Sequence, residues 1–329
     1  MIRMHRDWKS FVCVLAVITA LTGCQTTGGR GGSYSSGGAV ADTWRGGIHA
    51  IPSMATRSGS RESIALNNEP LAQWGGRVSR EIVKPGVKVP AVIYAHGCKG
   101  LKAAGIWSFW FNEFGFAFFA PDSFRRPGRV AECYAGNAET KFGMRIEEIE
   151  FARQQISKLD WIDQNRIVLV GKSEGGGAVS YFGGGGFTAH IILANDCRVL
   201  NGSPAAPSGV AVLNLVGADD PREGLCDIAR DSRGSQAISL PGQGHSFDGA
   251  EVAVAAVAKF LKDCCGYQPV STTEGLDANK TALDLVKESG EFAPMLAKTN
   301  AEERLTWADK DGHAFWMRVR EIAAKLTKE

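Results

Sequence analysis

The sequence has little excess charge and no long apolar run. Its 37 lysines and arginines are nearly balanced by 35 aspartates and glutamates, for a formal net charge of +2, and no basic stripe runs along it. Nucleic acid is therefore not an expected partner. The apolar stretch at residues 11–21 is too short to span a bilayer. With 44% hydrophobic residues, the 329-residue chain can nevertheless bury one substantial core.

Two nucleotide-binding motifs are incomplete. The Gly-Lys-Ser of residues 171–173 would end a phosphate-binding loop only if a glycine stood at position 166, which is Arg166. Gly171, Gly175 and Gly177 have the spacing of the glycine turn in short-chain dehydrogenases, which also need a Tyr-x-x-x-Lys pair. None of the five tyrosines has a lysine four residues later. The phosphate-binding loop is therefore rejected, and the dinucleotide turn is left as a minor alternative.

The same stretch predicts a nucleophile elbow. A short apolar run, residues 168–170, leads into Gly171-Lys172-Ser173-Glu174-Gly175, which is a G-x-S-x-G motif. Such a buried strand turns sharply into a helix, and glycines two residues before and after the serine avoid a collision in the turn. Ser173 is therefore the candidate nucleophile. A structural glycine-rich turn without chemistry is the alternative.

A second loop is placed to complete an oxyanion hole. The predicted strand at residues 89–95 runs into His96-Gly97-Cys98-Lys99-Gly100. An H-G-x-x-G loop after a core strand upstream of the elbow is typical of a loop that supplies one donor. We assign the two donors to the backbone N–H groups of Cys98 and Glu174. An ordinary glycine turn is the alternative.

The order serine, aspartate, histidine predicts a catalytic triad. Asp219 and Asp220 follow a predicted strand at 210–216, and His245 follows the last one at 237–240. Only His313 also lies beyond the acid loop, in the C-terminal extension, so His245 is the expected base. The two aspartates alternate in direction, and only one can face the imidazole. Asp248 is a weaker third candidate for the acid and is expected to cap the next helix instead.

The pattern of strands and helices predicts an α/β fold with a mainly parallel sheet, helices on both faces and the site at the carboxyl edge. Further strands are predicted at 116–120 and 190–193, early antiparallel strands at 61–66 and 76–83, and helices at 107–114 and 141–159. In the last of these, Glu147, Glu148 and Glu150 are expected on the solvated side. An amphipathic helix through Phe315, Val319, Ile322 and Leu326 is expected in the extension, packed on the domain or on a partner.

Two adjacent arginines are candidates for substrate binding. Arg125 and Arg126 lie in the loop of residues 121–128, at the predicted site edge. A guanidinium group matches the geometry of a carboxylate, so they could hold an anionic substrate group. Simple solvation is the alternative.

The N-terminus predicts export and lipidation. Arg3, Arg6 and Lys9 precede the apolar run, so residues 1–23 have the pattern of a signal peptide. The run ends in Leu-Thr-Gly-Cys, which resembles the lipobox of bacterial lipoproteins, with Cys24 acylated. An ordinary secretory signal is the alternative. The glycine- and serine-rich residues 24–39 are expected to tether a domain of residues 40–263, followed by a helical extension, residues 264–329.

Taken together, these motifs resemble the dienelactone hydrolase family, particularly its exported members. The matching pieces are residues 95–98, 121–124, 171–176, 216–220 and 241–248, and the resemblance covers about 89–261. It implies an α/β-hydrolase fold, a carboxylic ester or lactone as substrate, an acyl-serine intermediate and no metal or organic cofactor. The family's Gly-x-x-Asp pattern points to Asp220 as the acid. The type enzymes carry cysteine where this chain has Ser173, which puts activity on dienelactone itself in doubt.

The lipobox resemblance bears on location, and the family resemblance on cysteine pairing. Gln25, rather than aspartate, follows the cysteine of the lipobox, which favours the outer membrane of a bacterial envelope, facing the periplasm. Placement in loops, and the arrangement in exported relatives, suggest the pairs Cys98 with Cys133 and Cys197 with Cys226; the spacing alone fixes no connectivity. Reduced, buried cysteines are the alternative.

Two other function classes stay open at this point. One is a binding or scaffolding lipoprotein with a vestigial triad, and the other is a serine peptidase on the same fold.

Overall fold

The computed structural model describes residues 37–66, 69–129, 133, 138–195, 197, 203–220, 224–228, 234–267, 278–306 and 310–328. The strands in these residues are β1 (Ile48–Ile51), β2 (Glu62–Ser63), β3 (Val89–Ala95), β4 (Ala117–Ala120), β5 (Ile162–Lys172), β6 (Ala189–Leu193), β7 (Ala211–Gly217) and β8 (Gln236–Leu240). The helices are α1 (Gly37–Arg45), α2 (Leu71–Glu81), α3 (Lys102–Glu113), α4 (Ala138–Ile156), α5 (Glu174–Tyr181), α6 (Glu251–Cys265), α7 (Ala278–Ser289), α8 (Ala293–Thr306) and α9 (Lys310–Leu326).

The strands form one sheet in the order β2-β1-β4-β3-β5-β6-β7-β8. All pairs from β4 to β8 are parallel, whereas β1 is antiparallel to both β2 and β4. The central strands β3, β6 and β7 are buried along their whole length, as expected for a sheet covered on both faces. This topology confirms the predicted α/β-hydrolase fold with its mainly parallel sheet.

A hydrophobic core lies on each face of the sheet. On one face, Trp44 of α1, Trp74 of α2, Ile149 of α4 and Val179 of α5 are buried against the strands. The other face is covered by α3, α6 and the C-terminal helices. The parallel strands are therefore buried on both faces, and the loops at their carboxyl ends extend from this buried sheet.

The early part of the domain differs from expectation. The expected strand at 76–83 is wrong, because most of it belongs to helix α2. Trp74 and Val78, four residues apart, are both buried and lie on one face of that helix. Of the expected strand at 61–66, only Glu62–Ser63 forms strand β2, and the N–H of Ile64 also donates to the carbonyl of His49 in β1 at 2.8 Å. Helix α1 begins at Gly37, within the last residues of the expected tether.

The C-terminal extension packs on the domain. Helix α9 buries Trp316, Val319 and Ala323, and the Trp316 ring lies 5.9 Å from that of Phe109 in α3. The extension therefore completes the core on that face of the sheet. Across the described residues, we find no helix that is both long and apolar enough to cross a bilayer.

Candidate active site

Ser173 lies on a strained turn between β5 and α5. Its φ of 53° and ψ of −115° are unusual for a residue with a side chain. A Cβ atom on Gly171 would overlap the carbonyl of Gly175, and one on Gly175 would overlap the carbonyl of Ala95. Both positions therefore require glycine, which is the reason for the G-x-S-x-G spacing. The turn places the serine at the N-cap of helix α5, directly before its first residue, Glu174.

The structure brings Ser173, His245 and Asp220 together. His245 Nε2 lies 3.0 Å from Ser173 Oγ, and His245 Nδ1 lies 2.5 Å from Asp220 Oδ2. The Asp220 side chain is fully buried, whereas the His245 side chain is 23% exposed. Because a carboxylate only accepts, Nδ1 carries the ring proton and Nε2 is left to accept the serine proton. Asp219 is exposed, and its backbone N–H donates to the carbonyl of Gln243 at 2.9 Å.

The loop carrying Cys98 lies against the elbow. A Cβ atom on Gly97 would be 3.4 Å from Ser173 Cβ and 3.3 Å from the carbonyl oxygen of Lys172. Glu174, whose backbone N–H is the second assigned donor, directly follows the serine and is the first residue of helix α5. Both assigned donors therefore belong to segments that adjoin Ser173, as an oxyanion hole requires.

His96 holds the peptide that carries one of these donors. The N–H of Ser123 donates to His96 Nε2 at 2.9 Å, so Nε2 carries no proton and the ring proton is on Nδ1. Nδ1 in turn donates to the carbonyl of Gly97 at 2.7 Å. Burial, and then the charge of Arg145, lower the pKa of His96 well below its ordinary value. His96 is thus a neutral ring with a fixed tautomer.

This bond determines where the Cys98 N–H points. The Gly97 carbonyl and the Cys98 N–H belong to the same peptide unit, which is trans, so they point in opposite directions. The Gly97 carbonyl also accepts from the N–H of Gly100 at 3.1 Å. Two donors therefore fix the peptide's orientation. From the sequence, the loop that begins with His96-Gly97 was predicted to supply only a backbone donor. The role of the histidine ring was not predicted.

A buried ionic cluster surrounds the side chain of Glu174. Arg129 forms an ion pair with it, and Lys141 and Arg145 lie 3.6 and 3.8 Å from its oxygens. Arg145 is almost fully buried and also donates to the carbonyl of His96. The cluster therefore connects the residue after Ser173 to the loop that carries Cys98.

One of the glutamates expected in solvent belongs to this cluster. Glu148 is 3% exposed, accepts from Ser123 Oγ at 2.9 Å and pairs with Arg145 at 3.2 Å. Burial raises the pKa of Glu148, and Arg145 opposes that shift. The expectation of a solvated side for Glu148 is wrong, whereas Glu147 and Glu150 are exposed.

The two candidate substrate-binding arginines lie in different surroundings. Arg126 is buried, donates to the carbonyl of Met144 at 3.0 Å and pairs with Glu147. Its guanidinium is thereby committed to helix α4, which contradicts a direct substrate contact. The Arg125 side chain is 66% exposed, with its Nε 3.5 Å from Asp122. Arg125 stays a candidate for substrate binding.

The structure pairs the loop cysteines as the sequence suggested. Cys98 is bonded to Cys133, and Cys197 to Cys226, with Cα atoms 4.7 and 5.2 Å apart. A third bond joins the neighbours Cys264 and Cys265, for which the sequence offered no assignment.

Two asparagines connect the Cys226 segment to Ser173. The N–H of Cys226 donates to Asn214 Oδ1 at 2.9 Å, and Asn214 Nδ2 donates to the Asn195 carbonyl at 2.8 Å. Asn195 Nδ2 lies 3.3 Å from the carbonyl of Ser173. Since Asn214 is fully buried, its amide is held by these partners. The segment that follows Asp220 is therefore tied to the serine as well as to Cys197.

Asp248 neither serves as the acid nor caps a helix. Its Oδ1 accepts from Trp107 Nε1 at 2.9 Å, and its Oδ2 pairs with Lys172. Helix α6 instead begins after Ala250, with no side-chain cap.

Of the remaining histidines, His190 lies apart from the triad. It is fully buried on β6, and burial lowers its pKa to about 4. The side chain of His313 lies outside the described residues, as do residues 1–36, including Cys24. No group of three or more metal-ligating side chains occurs in the parts of the chain that the structure describes.

No protein-family model matches the chain, and no curated protein matches it. Among solved structures, a Klebsiella pneumoniae protein assigned as a dienelactone hydrolase is 14% identical, with 56% of this chain and 90% of that chain covered and a TM-score of 0.40. An esterase of Pyrobaculum calidifontis is 14% identical, with 55% and 78% covered and a TM-score of 0.38. A CIB-like hydrolase of Thermoplasma acidophilum is 16% identical, with 55% and 89% covered and a TM-score of 0.40. At this level of similarity, the function has to be inferred from the site residues.

Proposed function

We propose that the protein is a serine hydrolase that cleaves carboxylic esters or lactones through an acyl-enzyme intermediate. One observation carries the proposal: a continuous hydrogen-bonded chain runs from the buried carboxylate of Asp220 through His245 to the hydroxyl of Ser173. The serine also occupies a backbone conformation that costs about 1–3 kcal/mol and is found mainly at functional sites. A serine with only a structural role would need neither feature.

The residues suggest the following sequence of steps. Ser173 Oγ attacks the carbonyl carbon while its proton passes to His245 Nε2, and the N–H groups of Cys98 and Glu174 receive the oxyanion. The intermediate collapses, the C–O bond to the leaving alcohol breaks, and the alcohol takes the proton from His245. Water then attacks the acyl-serine by the same route and releases the carboxylic acid. Asp220 keeps the imidazole in the required tautomer throughout.

The experiment combines turnover with covalent labelling. We expect the protein to hydrolyse a p-nitrophenyl acyl ester and to be labelled by a fluorophosphonate. Ser173→Ala should abolish labelling and lower kcat about a thousandfold or more, because triad members act as a unit. Ser246→Ala removes an exposed hydroxyl beside the base and should leave both properties unchanged.

The outcomes separate the function classes. Absence of both turnover and labelling in the wild-type protein would favour a binding or scaffolding lipoprotein with a vestigial triad. Labelling accompanied by cleavage of peptides but not of esters would favour a serine peptidase. Labelling that survives Ser173→Ala would contradict the assignment of the nucleophile.

We also propose that the protein is anchored to the bacterial envelope by acyl chains on Cys24, most simply on the periplasmic side of the outer membrane. The Leu-Thr-Gly-Cys sequence and the glycine-rich stretch after it support this. Each buried CH₂ of an acyl chain contributes about 0.8 kcal/mol to membrane binding. Cys24→Ser should therefore release the protein from membranes while ester turnover persists. Sedimentation of the variant with membranes after a high-salt wash would contradict the proposal.

A further inference from the structure

Three segments of the candidate site meet at one carboxylate. Asp248 follows the base His245 by three residues in the loop after β8. Its Oδ2 pairs with Lys172, the residue immediately before the nucleophile. Its Oδ1 accepts from Trp107 Nε1 at 2.9 Å, on the helix that follows the Cys98 loop. The nucleophile, the base and the oxyanion loop are thereby joined through one side chain.

These contacts lie away from bulk solvent. The Lys172 and Asp248 side chains are 8% and 13% exposed, and Trp107 is fully buried. Bonds in such surroundings are stronger and more costly to lose than exposed ones, because water does not replace the missing partner. The three side chains therefore form a fixed connection rather than a solvated surface pair.

The arrangement restrains the loop that carries the base. Phe247, between His245 and Asp248, is 1% exposed and anchors the loop in the core. An apolar anchor alone can shift and rotate, whereas a carboxylate bonded through each oxygen to a different element is fixed in both position and orientation. Among the described residues, the hydrogen bonds of the imidazole itself run to Asp220 and Ser173.

We propose that Lys172, Asp248 and Trp107 are positioning residues that hold His245 at bonding distance from Ser173. The proposal rests on the proposed function, since it assigns a role relative to that triad. A displacement of about 1 Å at a catalytic group can lower the rate about a hundredfold. Neither member of the Lys172–Asp248 pair touches the reacting atoms, so the effect would act through His245.

The main variant removes both charges at once. Loss of one partner would leave an unpaired buried charge and destabilise the fold, whereas replacing both by apolar residues is often tolerated. We expect Lys172→Met with Asp248→Leu to keep a melting temperature near that of the wild type, and to lower kcat about ten- to a hundredfold with KM within about threefold. Trp107→Phe keeps the ring packing but removes the donor, and should lower kcat by a smaller factor.

A matched control and a second readout complete the experiment. Arg77→Met with Glu69→Leu removes a partly exposed ion pair between helix α2 and the residues just before it, with 2.5 Å between the charged atoms, and should leave kcat unchanged. The far-downfield NMR signal of the proton between His245 Nδ1 and Asp220 reports the position of the ring without any turnover. We expect this signal in the wild type and its loss or broadening in the double variant.

The two proposals fail in different ways. A wild-type protein that shows the proton signal but hydrolyses no ester would count against the proposed function, while loss of the signal in the double variant would still support positioning. A folded double variant with wild-type kcat and an unchanged signal would overturn the positioning role. If the double variant does not fold, the same two measurements on Trp107→Phe decide the question.

Discussion

The buried ring of His96 is hydrogen-bonded to Gly97 and to Ser123. The variants His96→Asn and His96→Gln should show the effect of losing each bond by itself. The amide nitrogen of asparagine lies close to the position of Nδ1, so Asn can still donate to the Gly97 carbonyl. Glutamine reaches the position of Nε2, so its amide oxygen can still accept from the N–H of Ser123. In the structure these bonds measure 2.7 and 2.9 Å. Each variant therefore keeps one bond and loses the other.

The expected magnitudes follow from what each bond does. Removing a whole oxyanion donor lowers kcat by about a hundred- to a thousandfold. Gln at position 96 would only release the Gly97 carbonyl from one of its two donors, because Gly100 still holds it at 3.1 Å. We therefore expect kcat to fall about tenfold, which is about 1.4 kcal/mol, at unchanged KM, since the oxyanion exists only in the transition state. His96→Asn should keep kcat within about threefold of the wild type.

In folding stability, the two variants should rank in the opposite order to their kcat values. His96→Asn leaves the buried N–H of Ser123 without its acceptor, which costs about 1–3 kcal/mol of folding free energy. His96→Gln keeps that bond and should be the more stable variant. The assay is ester turnover for kcat and KM alongside thermal denaturation of both proteins. Loss of kcat in proportion to loss of stability in both variants would refute a role in aiming the Cys98 N–H.

Two further predictions concern the carboxylate of the candidate triad and the stability of the fold at low pH. Asp220→Asn should lower kcat about 10⁴-fold because it favours the wrong imidazole tautomer, whereas Asp219→Asn should leave ester turnover within about twofold of the wild type. Burial lowers the pKa of His49 to about 3 and that of His190 to about 4, from an ordinary value of 6.5. The unfolded chain therefore binds more protons below pH 6.5, and each ring should lower the free energy of unfolding by about 2 kcal/mol at pH 5 relative to its full value above pH 7. Urea denaturation at the two pH values measures this loss, and His190→Phe should reduce it; an equal loss in that variant would contradict the assignment.

The parts of the fold that the sequence predicted are those with a local signal. The predicted strand at 89–95 coincides with β3. The other predicted strands, from β4 onward, end within one or two residues of the observed carboxyl ends, because each is a short apolar run bounded by glycine or polar residues. The elbow was predictable for the same reason. A turn this tight admits only glycine at Gly171 and Gly175, so five consecutive residues are enough to indicate its geometry.

Helix α2 shows why the early elements were harder. Trp74 and Val78 are its buried residues, but Gly75 and Gly76 lie between them and weaken any helical pattern. The helix forms because tertiary packing of one face outweighs that low intrinsic preference. Strand β1, at Ile48–Ile51, is also short, and its place in the sheet depends on antiparallel pairing with β4, which lies about 70 residues further along the chain. Neither element has a signal that a window of sequence could show.

The residues that support the triad were unpredictable for a different reason. Lys172 and Asp248 are separated by 76 positions, and either residue alone has the ordinary pattern of a surface charge. Only the fold brings β5 and the loop after β8 side by side, and burial then forces the two charges to pair. The candidate nucleophile and base can thus be found from motifs, whereas the groups proposed to fix the distance between them depend on which loops become neighbours. The effect on kcat of substituting both Lys172 and Asp248 should accordingly differ from the sum of the two single effects. A double-mutant cycle on kcat would measure this coupling.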